Sequence, residues 1–230
     1  MYKVKFYRGD YLERQLRANE DNCRGYLEHH FNSSSSTTAN YAVVITGYNA
    51  SHTSKNWGRW YSQAVSQDFD VPIGGDNGIK VGGYNGRGDY NLKFTSMPAI
   101  LVEPLFASNP QHAPWIRLEN GQTRLASIIC ESVLRFFQEG GLIGFSVGHK
   151  YKASRPDDRG APVYGGGWEA DYAEEVLNRA KQMLETVDQP QEQREIRVIK
   201  GNEVLWAGDV DPDIEVKWDP ARGILRIEDI

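Results

Sequence analysis

Only two cysteines, Cys23 and Cys130, occur among 230 residues, too few and too far apart for a disulfide framework. Both read as reduced thiols packed as small apolar groups. No apolar run approaches membrane-spanning length, which excludes insertion by a helix. The opening residues, Met1-Tyr2-Lys3-Val4-Lys5-Phe6, alternate apolar and polar and lack the continuous apolar core of a signal peptide. The expectation is a chain made as a soluble cytoplasmic protein that meets any outside substrate by export or release. Basic charge is not in excess either. The 26 Lys and Arg are outnumbered by 31 Asp and Glu, for a net charge of -5, and nothing suggests a nucleic-acid partner or an anionic membrane surface.

What is present is ordinary globular material, 40% hydrophobic and 25% charged, enough for one sizeable core with a small appendage. Tyr2 to Tyr7 alternates as a strand. Asp10 and Glu13 suit a helix start, with the helix running through Leu12, Leu16 and Asn19. Gly25 to Phe31 and Tyr41 to Tyr48 read as strands, separated by a polar, serine-rich loop. Ser54 to Phe69 is a helix with Trp57, Trp60, Tyr61 and Val65 on its core stripe. Gly74 to Gly88 reads as loops around a short strand at Ile79. Ala99 to Val102, bounded by prolines, suits a strand covered on both faces. A helix from about Gln122 to Phe137 stops at Gly140-Gly141. A buried strand, Leu142 to Val147, and a helix, Trp168 to Val187, complete the alternation.

This order predicts an α/β fold: a twisted, largely parallel sheet with helices on both faces, over residues 1–187. After a polar linker, residues 188–230 read as a β-rich C-terminal extension of short strands in an antiparallel meander, with no role legible in the sequence.

Three strands end in side chains that carry chemistry. One runs into His29, His30 and Asn32, one ends at Glu103, and one ends at Gly148-His149. In open α/β sheets ligands gather outside the carboxyl ends of strands, so these groups are placed to converge. A fourth comes from the helix after Trp168. Its inward stripe, Ala173, Val176, Leu177, Ala180 and Leu184, puts Glu169 on the same face at the helix start. Two histidines and a carboxylate make a common catalytic zinc site, and a further glutamate beside it suits a general base. Spacing alone leaves plainer roles open. A strand-end histidine is often only a hydrogen-bonded core group, and Glu169 suits a first-turn acid stabilising its helix.

The segments that carry more are Gly144-Phe145-Ser146-Val147-Gly148-His149-Lys150, Asp158-Arg159-Gly160-Ala161 and the helix opening at Glu169. With them stand His30-Phe31-Asn32 and Met97 to Asn109, which contains Val102-Glu103-Pro104-Leu105-Phe106. Together these resemble the N-acetylmuramoyl-L-alanine amidases known as amidase type 3. The resemblance covers most of residues 2 to 187, with the segments in circularly permuted order: the family's opening stands at Leu142 to Val187 here, after its usual closing helix. It departs from the family at His149-Lys150, where His-Gly is usual, and at the Arg14-to-Asn19 gap, one residue longer than the family's pattern.

The resemblance implies that His30, His149 and Glu169 are zinc ligands and that Glu103 is catalytic. It also implies a peptidoglycan or muropeptide substrate, cut between N-acetylmuramic acid and L-alanine. His29, by strand alternation, would face the other way. Two alternatives stay open: a zinc carboxypeptidase-like amidohydrolase on another amide, and an amidase-like module that binds without turnover.

Overall fold

The computed structural model describes residues 1–187, 194–200, 203–210, 214–219 and 224–229. The chain divides into two units, Met1–Val187 and Asp188–Ile230.

In the first unit the apolar stretches become β1 (Tyr2–Phe6), β2 (Gly25–His29), β3 (Val43–Thr46), β4 (Ile79–Val81), β5 (Ala99–Glu103) and β6 (Gly141–Val147). These form one six-stranded sheet in the order β1-β6-β2-β5-β3-β4. Its neighbours run parallel except β3, which is antiparallel to β5. The helices are α1 (Tyr11–Glu20), α2 (His52–Phe69), α3 (Ala113–Arg117), α4 (Glu119–Phe136) and α5 (Glu169–Thr186).

One sheet face carries most of the core. Leu27, Val44, Ile100, Val102, Ile143 and Phe145 meet the inward stripes of α2, α4 and α5 there. Trp57, Tyr61 and Val65 are fully buried in it, as the helical periodicity of α2 implies. The other face holds a smaller cluster, with Tyr7, Tyr26, Ile45 and Leu101 packed beneath Ala18 of α1 and Leu92. Helices therefore cover both faces of a largely parallel sheet.

Helix α1 forms where the sequence placed it, with a largely polar buried face. Leu16 is exposed, and the buried face is Arg14, Gln15 and Ala18. The reason is that both polar groups are satisfied where they are buried. Gln15 donates to the carbonyls of Tyr11 and Tyr90 and accepts from the Phe94 amide, while Arg14 reaches four acceptors, on Gly9, Ser146, Val147 and Lys150. Asp10 stands at the N-cap position but does not cap. Its carboxylate instead accepts from Ser154.

Two features set the ends of the unit. Gly140 and Gly141 have φ of 70° and 109°, and the Gly141 amide donates to the Met1 carbonyl at 3.0 Å. Helix α5 packs on β1, and the Val4 amide donates to Glu185 of that helix at 3.0 Å.

In the second unit, β7 (Arg194–Lys200) pairs antiparallel with β8 (Glu203–Val210), and β9 (Ile214–Asp219) with β10 (Ile224–Asp229). Among the described residues these are two separate two-stranded sheets, not the continuous meander expected.

Candidate metal centre

Strands β6, β2 and β5 are adjacent and parallel, and their registers align their carboxyl ends. His29 stands opposite both Val102 and Val147. The next residue on each strand is therefore His30, Glu103 and Gly148, side by side at one edge of the sheet. Helix α5 starts beside them and brings Glu169, which is 3% exposed.

One nitrogen each from His30 and His149 and one oxygen from Glu169 lie within 4.8 Å of one another. His149 Nε2 is 2.7 Å from Glu169 Oε1, and the two imidazole rings meet edge to face at 4.9 Å between centroids. The set fits zinc: two imidazoles and one carboxylate, held on rigid elements and facing a cleft from which a further ligand can approach.

Two glycines make this closeness possible. A Cβ on Gly148 would lie 2.3 Å from the His30 ring. Gly160 has φ of 71°, and its Cβ would fall 2.0 Å from Glu169 Oε1. His149 itself adopts φ of 63°, a left-handed conformation uncommon for a residue with a side chain. It turns the ring back toward β2.

Each histidine has a carboxylate partner on one ring nitrogen. His149 Nδ1 stands 3.1 Å from Asp158 Oδ1. Asp158 in turn accepts from the Gly160 amide at 2.9 Å and from Lys152 Nζ. Burial would raise its carboxyl, but the Lys152 and Gly160 bonds and the His149 ring hold it well below the ordinary range. His30 Nε2 stands 2.7 Å from Glu28 Oε1. Burial works against ionisation of Glu28 too, yet His30, Arg14 and Asn91 outweigh it and hold its carboxyl low. Carboxylate partners of this kind fix the tautomer and ring direction of a metal-binding histidine.

Glu103 stands apart from the three-atom cluster but on the same cleft wall. Its Oε2 is buried and meets no hydrogen-bond partner among the described residues. Burial pushes its carboxyl up to about 7, with His30 opposing the rise and Glu169 adding to it. A carboxyl in that range accepts and returns protons readily near neutral pH.

The cleft encloses about 850 Å³. Residues between the strands and helices, Ser33, Arg87 and Arg155 among them, contribute to its wall. Its aromatic lining is Tyr11, Phe31, Tyr41, Tyr84, Tyr90 and Phe106.

His29 points into the core on the opposite face, edge-on to Phe31 at 4.9 Å. It is fully buried, and neither ring nitrogen has a partner among the described residues. Burial, with His30 nearby, depresses its pKa to about 3. Because the folded form resists protonation while the unfolded chain protonates near pH 6.5, stability falls as pH drops from about 6.5 towards 3. His29→Leu is expected to raise stability by about 1–2 kcal/mol at neutral pH and to flatten that acid limb. Urea melts at several pH values check both; a destabilised variant would mean the ring has a partner.

The sequence reading placed His30, His149, Glu169 and Glu103, and the structure brings all four to one site. It missed the braces. Asp158 was visible within its motif but had no assigned role. Glu28 carried a usable signal: two residues before His30 on a buried strand, it must share that histidine's face. Arg14 was visible only through the family's Arg-to-Asn pattern, because nothing local marks a helix arginine as buried.

The Amidase_3 family model, N-acetylmuramoyl-L-alanine amidase, matches residues 4–135, more than half of the 230-residue chain. The match includes His30 and Glu103 and leaves out His149 and Glu169. A search of curated proteins gave no match. Among solved structures, the chain is similar to an N-acetylmuramoyl-L-alanine amidase from Clostridium difficile 630, at 25% identity and a TM-score of 0.48, covering 56% of this chain and 66% of that one. It is also similar to the catalytic domain of CwlV, an N-acetylmuramoyl-L-alanine amidase from Bacillus (Paenibacillus) polymyxa var. colistinus, at 22% identity and a TM-score of 0.46, with the same coverage. The chain thus spans just under two thirds of either structure. On the family match across its first 135 residues, this chain belongs to the N-acetylmuramoyl-L-alanine amidase family.

Proposed function

We propose that the protein hydrolyses an amide bond with the help of zinc, and that the bond is the one joining N-acetylmuramic acid to L-alanine in peptidoglycan. The observation that carries this reading is the convergence of His30, His149 and Glu169 on one point, beside a buried glutamate with an oxygen that has no partner among the described residues.

His30, His149 and Glu169 would hold the metal. When bound, zinc supplies Lewis acidity, polarising the amide carbonyl and lowering the pKa of water in the site. Glu103 acts as the proton carrier: it takes a proton from the attacking water and delivers it to the departing amine. Asp158 and Glu28 hold the two imidazoles in register. The tyrosine-lined cleft offers flat apolar surfaces with hydroxyl edges to a sugar-peptide substrate.

The reading extends to the order of the segments, taken as a circular permutation of the family's usual order. Three contacts support it. Strand β6 lies between β1 and β2, parallel to both. Helix α5, which follows β6, packs on β1 as the crossover helix of a β-α-β unit would. The glycine pair that would join the old ends lies against Met1. The gap in the family match after residue 135 is consistent with it.

The direct test is incubation with muropeptides, following release of intact stem peptide with a free L-alanine amino terminus. The expected result is release by the zinc-loaded protein, abolished by a chelator and restored by added zinc. Cleavage elsewhere in the peptide would redirect the reading to another amide, and cleavage that survives complete metal removal would end it.

A further inference from the structure

We infer that the buried Arg14–Glu28 pair sets how the protein presents His30 to a metal, locking its Nε2 so that Nδ1 is the coordinating atom. This rests on the metal reading proposed above and assigns positioning roles to two residues outside the cluster.

Both side chains are fully buried. The Glu28 carboxylate accepts from His30 Nε2 at 2.7 Å, Asn91 Nδ2 at 2.5 Å and Ser146 Oγ at 3.0 Å. Arg14 Nη1 lies 4.0 Å away. A carboxylate accepts only, so the imidazole nitrogen facing it must carry a proton. The neutral ring then has its lone pair on Nδ1. His149 shows the reverse arrangement, with Nδ1 on Asp158 and Nε2 against Glu169.

Arg14 extends the device to the second histidine. It donates to the Gly9 and Val147 carbonyls and to Ser146 Oγ, each at 2.7 Å, and to the Lys150 carbonyl. Val147 and Lys150 bracket Gly148-His149, so the same guanidinium holds the left-handed turn on which His149 stands. A buried ion pair is weak evidence for stability as such, since apolar residues of similar volume often serve as well. Here the pair touches the support of both histidines, which an apolar replacement could not orient.

Two measurements on the full chain test this. The first is zinc affinity by chelator competition for wild type and Glu28→Gln, with the melting temperature of each zinc-free protein measured alongside. The expected result is affinity lowered by roughly 10–100-fold in a protein that still melts cooperatively, at a lower temperature because Arg14 loses its buried counter-charge. Unchanged affinity in a folded variant would overturn the inference. The second uses wild type alone and so decides the matter even if Glu28→Gln does not fold. Imidazole ¹⁵N correlation spectra of the zinc-loaded protein should show His30 protonated at Nε2 and metal-bound at Nδ1. Coordination through Nε2 would overturn the inference while leaving the metal reading intact. Failure to bind zinc at all would remove both.

Discussion

Glu103→Gln is expected to lower kcat on muropeptides by roughly 10²–10⁴-fold, the usual range for a lost general base, while zinc content stays at the wild-type value. Two observations make the variant informative. Glu103 is outside the three-atom cluster that would hold the metal, so the site keeps its ligands. Its Oε2 has no partner among the described residues, so an amide in its place breaks no bond at that atom. Only proton transfer is removed. Single-turnover kinetics and metal analysis on the same preparation separate the outcomes. Lost zinc would make Glu103 a ligand, and undiminished turnover would remove it from the chemistry.

The second large effect is expected for His149→Ala: zinc falling from about one per chain to near zero after dialysis, with activity lost alongside. The ring is part-exposed, so its removal leaves little cavity. Histidine and alanine both carry a Cβ, so the left-handed backbone at this position, with φ of 63°, strains the two comparably. The variant should therefore stay folded, and circular dichroism melts check that. Full zinc retention would put the metal elsewhere. His149 lies outside residues 4–135, so loss of zinc would also show that a segment beyond the family match completes the site.

The strands and helices were legible because their signals are local. Ala99 to Val102 is apolar throughout and bounded by prolines, and the Trp57, Tyr61, Val65 spacing fits only a helix face. The four candidate site residues stood out for a different reason: each ends a strand or opens a helix, where an α/β fold collects its chemistry, although their roles came from the family resemblance alone. What stayed hidden depends on partners distant in sequence. Arg14 is buried because Ser146, Val147 and Lys150 offer acceptors, and no pattern within α1 announces them. Leu16, although apolar, is exposed, because the helix turns its polar side inward toward those acceptors. The pairing of the tail strands is likewise a choice among strands that all alternate alike.

The place of β6 in the sheet has a consequence for how the molecule comes into being. Strands β1 and β2 leave the ribosome early, yet neither pairs with the other; both wait for β6, which is made more than a hundred residues later. Until then each has an unfilled edge, and Tyr26 and Leu27 have no neighbour on that side. His30 spends the same interval without His149 or Glu169. The sheet's seam and the candidate metal centre therefore both need β6 and α5, and a chain cut short before residue 141 would have neither. Long-range closure of this kind is slow compared with helix formation, so the window in which the nascent chain needs protection is set by a single strand.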